Sequence, residues 1–343
     1  MADALDRDIL SISHRGEEFK SIYAETEMNL RQLLNIPDSH HVLFLSSATE
    51  AMERIIQNCV GDRSHHLVNG AFAQRFQTIA RQLGKTTTTL TVPWGSGFDF
   101  DRLDVPADSE LIAVTQNETS TGVALPETAI AEVRNKYPEP LLAVDIVSSV
   151  PFVELDYTRI DAAFFSVQKG FGLPAGLGVL IINGRCLEKS RRLQEQGIST
   201  GSYHCLEELV EKAGAYQNPE TPNVLGIYLL GRVCRDLLKT GIATIRAETN
   251  RKADLLYRTI SGNRSMAPFV AEARFRSPTV IVARTSVPSA GIIETLAKAG
   301  FKVGAGYGKY RGDQIRIANF PAHSPDQAAG LAAALADETG GSL

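Results

Sequence analysis

The sequence predicts an α/β fold in which a mainly parallel sheet is flanked by helices. Three observations predict it: short apolar runs typical of buried strands, segments of helical period between them, and polar or small residues where the runs end. This alternation is typical of βα units around a parallel sheet. With 343 residues, the chain is long enough for about two domains.

The first strand is predicted at residues 41–45. Ser46 to Glu50 then predicts a helix start, because Ser or Thr with an early Glu is typical of a helix N-terminus. A second helix is predicted at residues 72–83, ended by Gly84. Further strands are predicted at residues 85–92, 111–115, 141–145, 162–166 and 178–182, the last of which returns like a hairpin.

A long helical pattern from Val224 to about Ile260, broken near Gly241, predicts the passage into a second domain. We therefore divide the chain into a large domain, residues 1–240, and a smaller C-terminal α/β domain, residues 241–343. Strands at residues 279–283 and 314–318 and a last helix at residues 325–338 are predicted in the smaller domain.

Charge and composition exclude several classes of function. The 35 basic and 39 acidic residues give a net charge of −4, which argues against a nucleic-acid partner. Four cysteines without a CxxC motif predict reduced thiols in a cytoplasmic protein. The acidic first eight residues do not resemble a signal peptide, and the apolar stretch 171–182 is too short to span a membrane. No metal site is predicted, because the pairs His40-His41 and His65-His66 direct their side chains apart.

Polar side chains follow the predicted strands, where an open parallel sheet binds its ligands. The helix start at residues 47–49 suits a phosphate, because free N–H groups and the helix dipole favour an anion there. Asp145 and Lys169 end two other strands and are placed to flank one flat cofactor. Pyridoxal phosphate needs such a set: a lysine for a Schiff base, a carboxylate for the ring nitrogen and an anion site. The spacing alone also allows a surface lysine and a helix-capping aspartate.

Four motifs occur in an order found in one enzyme family: residues 13–19 (SHRGEEF), 117–119 (NET), 145–149 (DIVSS) and 168–176 (QKGFGLPAG). With them the chain, from about residue 11 to 318, resembles the phosphoserine aminotransferases, in the class V, fold-type I group of pyridoxal-phosphate enzymes. The resemblance implies a fold-type I transferase with pyridoxal 5′-phosphate as cofactor. It also implies amino and keto acids as substrates, and a cytoplasmic homodimer with shared active sites.

The resemblance assigns roles at the cofactor. Lys169 corresponds to the lysine that forms the Schiff base, and Asp145 to the carboxylate that keeps the pyridine nitrogen protonated. Other cofactor positions correspond to Ala48, Thr49 and Gln168 at the phosphate, Thr119 beside the ring, and Phe72 where the family stacks a Trp. Thr221 corresponds to a residue that reaches the phosphate of the neighbouring subunit.

The resemblance also implies substrate contacts. Arg316 corresponds to the arginine that binds the α-carboxylate, a role suited to a planar bidentate donor. His14 and Arg15 correspond to the site for the distal anionic group of glutamate or phosphoserine.

The sequence departs from the family at three of these sites. Residues 46–49 (SSAT) replace a glycine-rich phosphate stretch, and Glu220 replaces the asparagine before Thr221. Gly308-Lys309-Tyr310, followed by Arg311, replaces a Gly-His-Arg motif that helps to bind the substrate phosphate. We expect Lys309 to replace the lost positive charge as a point donor.

The predicted function is therefore ping-pong transamination, in which glutamate and 3-phosphohydroxypyruvate are converted to 2-oxoglutarate and phosphoserine for serine biosynthesis. One alternative is a class V aminotransferase for another small acid, of the alanine–glyoxylate or serine–pyruvate type. Another is a protein that binds the cofactor without turnover, because the family's opening segment with its Gly-Pro turn does not precede Ser13. A nicotinamide-binding domain is disfavoured, because residues 46–51 after the first strand contain no glycine.

Overall fold

A seven-stranded sheet forms the centre of the larger part of the chain. The structure, a computed structural model, describes residue 4 and residues 8–337. In chain order the strands are β1 (His40–Leu45), β2 (Arg63–Val68), β3 (Thr86–Thr91), β4 (Leu111–Thr115), β5 (Asn117–Glu118), β6 (Val123–Ala124), β7 (Leu141–Asp145), β8 (Ala162–Ser166), β9 (Gly178–Asn183), β10 (Met266–Pro268), β11 (Val280–Thr285), β12 (Gly304–Ala305) and β13 (Gln314–Ala318).

Helices connect and flank these strands. In chain order they are α1 (Glu17–Leu34), α2 (Ala48–Cys59), α3 (Ala71–Gln82), α4 (Glu127–Lys136), α5 (Gly184–Glu195), α6 (Leu206–Gly214), α7 (Val224–Thr240), α8 (Ile242–Gly262), α9 (Ser289–Lys298) and α10 (Pro325–Asp337). None of the helices within the described ranges has the length and apolarity that a bilayer span requires.

The large sheet has the strand order β1-β9-β8-β7-β4-β2-β3. Strands β3, β2, β4, β7 and β8 pair in parallel, whereas β9 runs antiparallel to both β8 and β1. The predicted α/β class with a mainly parallel sheet is therefore confirmed. Because β1 runs in the same direction as β8, the carboxyl ends of β1, β4, β7 and β8 lie at the same edge of the sheet.

The apolar runs that predicted strands are the buried centre of this sheet. Every residue of β4, β7 and β8 is buried, as expected for parallel strands covered on both faces. The strands predicted at residues 85–92 and 178–182 are β3 and β9, with bounds that differ by at most one residue. The four cysteines are free, as predicted.

Strand β2 was not predicted from the sequence, because a charged residue and two histidines interrupt its apolar pattern. Nevertheless His65 and His66 are buried. A ring nitrogen of His65 lies 2.8 Å from Thr88 Oγ1, and one of His66 lies 2.9 Å from Ser64 Oγ. Burial lowers the pKa of His65 to about 4 and of His66 to about 3, so both rings are neutral at pH 7. Neutral, hydrogen-bonded histidines are compatible with a buried strand.

Helix α1 was also missed, and its position depends on a distant helix. Thr26 Oγ1 donates to the carbonyl of Ile227 in α7 at 3.1 Å. A Cβ at Gly231 would lie 2.4 Å from the same Thr26 oxygen, so the two helices can approach this closely only with glycine there. Sequence periodicity does not report such a contact between helices.

The smaller sheet lies in the C-terminal part of the chain, with the antiparallel order β10-β11-β13-β12. A second apolar cluster surrounds it, formed by residues between Ala253 and Leu335. Gly241 separates α7 from α8 with a φ of 85°, a conformation that favours glycine. The division between residues 240 and 241 stays a prediction. The last helix ends at Asp337, and Glu338 and the Gly-Gly-Ser tail lie outside the described residues.

Candidate active site

The carboxyl ends of three neighbouring parallel strands deliver Thr119, Asp145 and Lys169 to one edge of the large sheet. Asp145 is the last residue of β7, Lys169 follows β8, and Thr119 follows β5 just beyond the end of β4. Asp145 pairs with Thr115 of β4 on one side and with Phe164 of β8 on the other. The parallel register of these strands brings together residues that lie 24 or more positions apart in the sequence.

Asp145 is a buried carboxyl, with 2% of its surface exposed. Its Oδ1 accepts the backbone N–H of Val147 at 2.9 Å, the single hydrogen bond that the described residues give it. Burial raises the pKa of Asp145 to about 7; the Val147 N–H opposes this rise, the Glu118 charge adds to it, and Lys169 opposes it. A carboxyl in such surroundings needs a cationic partner to remain ionised at neutral pH.

Lys169 is half-buried and lies close enough to Asp145 and Arg316 for each charge to affect its titration. Burial and then the Arg316 guanidinium lower the pKa of Lys169, and Asp145 acts in the opposite direction. Arg316, on β13 of the smaller sheet, donates Nε to the carbonyl of Ala305 at 2.8 Å. No other hydrogen bond to a described residue involves its guanidinium, so the two terminal nitrogens remain for a ligand. We call Asp145, Lys169 and Arg316 the core site.

The polar residues around the core site form a hydrogen-bonded network. Thr119 Oγ1 donates to Ser148 Oγ at 2.8 Å, and that hydroxyl donates to the carbonyl of Asn117. The Asn117 amide also donates to Thr279 Oγ1 at 3.0 Å. Thr279 precedes β11, so this network ties the strand ends of the large sheet to the small sheet that carries Arg316.

The N-terminus of α2 lies at the same sheet edge, at the end of β1. Ser47 caps it by accepting the N–H of Glu50 at 3.1 Å, and Ala48 donates its N–H to Ser166 Oγ at 2.8 Å. The N–H of Thr49 has no acceptor among the described residues, and this residue is exposed. A free N–H at a helix N-terminus is what an anionic group requires. Gln168, also predicted at the phosphate, is exposed next to Lys169.

The approach of β9 to this helix start requires glycine. A Cβ on Gly178 would lie 2.5 Å from the carbonyl carbon of Ser47 and 2.7 Å from its oxygen. Any side chain at position 178 would therefore displace the α2 N-terminus. The sequence shows a Gly/Pro loop here, but the reason for this glycine is visible only in the fold.

Phe72 lies at the N-terminus of α3, whose start is held by Glu118. The Glu118 carboxylate is fully buried, and its Oε2 accepts the N–H groups of Phe72 and Ala73 at 3.0 and 2.9 Å. Ser120 Oγ accepts the N–H of Ala71 at 2.9 Å. The capping position is Gly70, where a Cβ would lie 2.3 Å from Glu118 Cγ. Gly70 has no side chain that could cap the helix. Glu118 and Ser120, which lie far from α3 in the sequence, accept the N–H groups of its first turn instead.

The Phe72 ring lies 5.6 Å from the ring of Tyr307, which belongs to the C-terminal part of the chain. Tyr307 also lies beside Arg316 of the core site, whose guanidinium carbon is 5.6 Å from the Tyr307 ring centre. Tyr307 was not predicted from the sequence, because it stands alone between glycines in a loop.

Arg15 and Thr221 belong to a second group of residues. The Arg15 guanidinium donates to the carbonyls of Asn218 at 2.6 Å and Pro219 at 3.0 Å, just before Glu220 and Thr221. Glu220 and Thr221 line a cavity of about 420 Å³ together with Ser46 and Glu50 of the α2 start. We call Arg15, His204, Glu220 and Thr221 the outer cluster. His14 precedes Arg15 and is half-buried.

His204 of the outer cluster lies between two carboxylates. Its Nδ1 contacts Glu50 Oε1, and its Nε2 lies 3.4 Å from Glu220 Oε2. Burial lowers the pKa of His204, but the two carboxylates outweigh burial and raise it to about 9. Glu50 also accepts the Ser46 N–H at 2.8 Å, and its pKa falls to about 2. The carboxylate of Glu220, which precedes the predicted phosphate contact Thr221, thus faces a protonated histidine.

The small-domain residues at the altered motif are exposed. Lys309 Nζ lies 5.1 Å from the ring centre of Tyr310, and Arg311 is exposed next to it. No ion pair joins either side chain to another described residue. Lys309 and Arg311 are therefore free to meet an anion, but nothing in the structure directs them toward the core site.

The core site fits pyridoxal phosphate. Asp145 is a buried carboxyl without a cationic hydrogen-bond partner, which a protonated ring nitrogen would supply. Lys169 has a lowered pKa and is therefore more readily a nucleophile than a solvated lysine. The free N–H of Thr49 lies at the helix start where a phosphate belongs.

Comparison with known proteins agrees with this site. The sequence profile of the Aminotransferase class-V family matches residues 6–309. A phosphoserine aminotransferase from Stenotrophomonas maltophilia (strain K279a) is 30% identical over 287 residues, which cover 79% of this chain and 73% of the relative.

Solved structures show the same fold. The crystal structure of a phosphoserine aminotransferase from Cytophaga hutchinsonii is 45% identical, with a TM-score of 0.96 over 98% of this chain and 93% of that one. An aspartate aminotransferase of subgroup IV from Thermus thermophilus is 25% identical, with a TM-score of 0.85 over 96% and 93% of the two chains. The predicted resemblance and fold type are thereby confirmed. The chain belongs to the class V family of pyridoxal-phosphate-dependent aminotransferases.

Proposed function

We propose that this aminotransferase interconverts 3-phosphohydroxypyruvate and glutamate with phosphoserine and 2-oxoglutarate, in serine biosynthesis. The observation that carries the proposal is the similarity to the phosphoserine aminotransferase from Cytophaga hutchinsonii, at 45% identity over 98% of this chain. The core site supports it, because it combines a lysine, a buried carboxyl and an arginine with free terminal nitrogens.

The roles of the core residues follow from their surroundings. When bound, pyridoxal phosphate withdraws electrons from the substrate Cα through its ring. Asp145 holds a proton at the ring nitrogen, and Arg316 binds the α-carboxylate with its terminal nitrogens. Lys169 Nζ, made less basic by burial and by Arg316, would take the proton from the substrate Cα and return it at C4′ of the cofactor. Phe72 packs against the ring.

The phosphate of the cofactor is proposed to bind at the start of α2. The free N–H of Thr49 and the side chain of Gln168 would hold it, with Thr119 beside the ring. Ala48 would lie beside the phosphate without donating to it, because its N–H is bonded to Ser166 Oγ. Because α2 begins at the edge where Lys169 follows β8, one cofactor can reach both.

The outer cluster supports a homodimer with shared active sites. Thr221 is exposed on its own chain. The Arg15 guanidinium is fixed by the carbonyls of Asn218 and Pro219, which lie three and two residues before Thr221. Thr221 and Arg15 are thus presented together, as expected for residues that complete the site of a neighbouring copy. Thr221 would contact the cofactor phosphate in that site, and Arg15 with His14 would contact the distal anionic group of the substrate bound there. We place this enzyme in the cytoplasm and keep the division into residues 1–240 and 241–343 as part of the proposal.

One observation favours a second candidate. The Gly-His-Arg motif is replaced and Lys309 is exposed, which favours a substrate whose distal group carries less charge than a phosphate. An aminotransferase for another small acid, such as an alanine–glyoxylate or serine–pyruvate enzyme, would then be the function.

The test compares two acceptors with glutamate as donor. We expect kcat/KM for 3-phosphohydroxypyruvate to exceed that for hydroxypyruvate by about 100-fold or more, since a charge-assisted phosphate contact is worth a few kcal/mol. Equal values would favour the second candidate, and no reaction of the bound cofactor with glutamate would show that glutamate is not the donor. Lys309→Ala should lower the ratio about tenfold, whereas the exposed Lys298→Ala should not change it. An unchanged ratio in Lys309→Ala would leave Arg15 or Arg311 as the phosphate donor.

A further inference from the structure

We propose that Tyr307 is a positioning residue that holds the Arg316 guanidinium in the orientation that receives the substrate α-carboxylate. The inference rests on the proposed function only in assuming that Arg316 binds this carboxylate. It assigns to Tyr307 a role that the altered Gly308-Lys309-Tyr310 motif did not suggest.

One hairpin presents both residues. Strands β12 and β13 pair antiparallel, with Gly304 opposite Arg316, and Tyr307 follows β12 in the connection between them. Gly306 donates its N–H to the carbonyl of Gln314 at 2.8 Å, and a Cβ at Gly306 would lie 2.0 Å from the carbonyl oxygen of Tyr310. The connection therefore folds back tightly, and this fixes the backbone of Tyr307 relative to Arg316.

The guanidinium of Arg316 is held on two sides. Its Nε donates to the Ala305 carbonyl at 2.8 Å, and its Cζ lies 5.6 Å from the ring centre of Tyr307. A cation within about 6 Å of an aromatic ring centre is attracted by the ring. The carbonyl fixes one edge of the planar group and the ring restrains its tilt, so the terminal nitrogens keep one direction.

The Tyr307 ring also reaches the large domain. It contacts the ring of Phe72 at 5.6 Å with an angle of 51° between the planes. The Phe72 backbone is fixed in turn by the buried Glu118 carboxylate. Tyr307 thus contacts both Arg316 of the small sheet and Phe72 at the start of α3. The Tyr307 hydroxyl has no hydrogen-bond partner among the described residues, so the ring makes these contacts and the hydroxyl does not.

Tyr310 offers a matched control in the same segment. Its ring contacts Trp94 at 5.6 Å and Phe269 at 5.2 Å, whereas the ring beside the Arg316 guanidinium is that of Tyr307. A change at Tyr310 should affect the packing of the segment without removing the ring beside the guanidinium.

The experiment measures the first half-reaction of the holoenzyme with glutamate by cofactor absorbance, which yields an apparent Kd and a limiting rate. We expect Tyr307→Ala to raise the apparent Kd about tenfold and to change the limiting rate less than threefold. Tyr307→Phe, which keeps the ring, should stay within twofold of the parent, as should Tyr310→Phe. A fall in the limiting rate at unchanged Kd would overturn the proposal, as would equal losses in Tyr307→Ala and Tyr307→Phe.

A second measurement does not depend on turnover. Isothermal calorimetry measures the binding of glutarate, which carries the carboxylates of glutamate but no amino group. The Kd for glutarate should be about tenfold higher in Tyr307→Ala than in the parent, and unchanged in Tyr307→Phe and Tyr310→Phe. If the parent does not react with glutamate, the proposed donor is wrong. The Kd comparison is then made with the amino acid that does react, because every amino donor carries an α-carboxylate. Equal Kd values in parent and Tyr307→Ala for that donor would refute the role of Tyr307.

Discussion

The carboxylate of Glu118 accepts the backbone N–H of Phe72 at 3.0 Å, across 46 residues of sequence. Glu118 is the last residue of β5, next to Thr119, and Phe72 is the second residue of α3, with its ring against Tyr307. This bond therefore fixes the start of α3 to the strand ends of the large sheet. Burial raises the pKa of Glu118, while hydrogen bonds from Ser120, Ala73 and Phe72 oppose that rise.

We expect Glu118→Ala to lower the free energy of unfolding by about 2–3 kcal/mol, because two helix N–H groups lose their acceptor in a buried place. Cofactor affinity should fall as well, since Phe72 loses its anchor. Chemical denaturation and cofactor titration measure the two effects. Glu127→Ala, an exposed acidic residue in the first turn of α4, should cost less than about 0.5 kcal/mol and leave cofactor affinity unchanged. Equal effects of the two changes would show that Glu118 is an ordinary first-turn carboxylate.

Replacing Lys169 by alanine should abolish both covalent attachment of the cofactor and turnover. Borohydride reduction of the parent should fix the cofactor to the peptide that contains Lys169, and mass spectrometry identifies it. Lys298→Ala, at an exposed lysine paired with Glu294, should be trapped and active like the parent. Attachment to any other lysine would contradict the assignment.

Asp145→Asn should reduce turnover by about 100-fold or more, because the ring nitrogen loses the charge that keeps it protonated. Asp161→Asn supplies a control at another buried carboxylate, which pairs with Arg134 and Arg185. It should lower stability without a comparable effect on turnover per folded enzyme. Near-normal turnover in Asp145→Asn would contradict the role.

The raised pKa of Asp145 also predicts a pH dependence of the cofactor-free protein. The folded state holds this proton up to a pKa of about 7, whereas the ordinary value is 3.8. The folded state therefore binds more protons between these values, and stability falls as pH rises from about 4 to 7. The difference corresponds to roughly 4 kcal/mol as an upper value. Asp145→Asn should lack this decline, so thermal unfolding should show it more stable than the parent at pH 8 and similar at pH 4.

His204 predicts the opposite dependence. Its folded-state pKa of about 9 lies above the ordinary 6.5, so its contribution is complete below 6.5 and is lost as pH rises through 9. Glu50, with a pKa lowered to about 2, contributes above its ordinary 4.5 and loses this contribution as pH falls through 2. We expect His204→Gln to lower unfolding free energy by roughly 2 kcal/mol at pH 6 and by much less at pH 10. His14→Gln, which removes no ion pair seen in the described residues, should show no such difference; a pH-independent loss in His204→Gln would contradict the ion pairs.

Dissociation of the proposed dimer should release the cofactor, because Thr221 is proposed to complete the phosphate site of a neighbour. Light scattering and cofactor absorbance, followed together on dilution, test this. Thr221→Ala should weaken cofactor binding about tenfold, the scale of one hydrogen bond to a charged group. The exposed Thr240→Ala, at the end of α7, should have no effect on binding. A monomer that retains full cofactor and activity would refute the shared site.

The sequence by itself determined the parallel sheet and the residues at its carboxyl edge. Strands β4, β7 and β8 are continuous apolar runs because both of their faces are buried, and such runs are visible without a structure. Asp145 and Lys169 were found because each ends or follows such a run.

Only the tertiary structure decided which distant residues meet at that edge. Strand β2 was missed because its histidines are buried through hydrogen bonds to the hydroxyl groups of Ser64 and Thr88, and not as part of an apolar run. Glu118 is a helix cap because Gly70 leaves room for it. Tyr307 lies beside both Arg316 and Phe72 because it stands in the connection between β12 and β13. Such contacts depend on packing between elements far apart in the chain, which periodicity along a single element does not record.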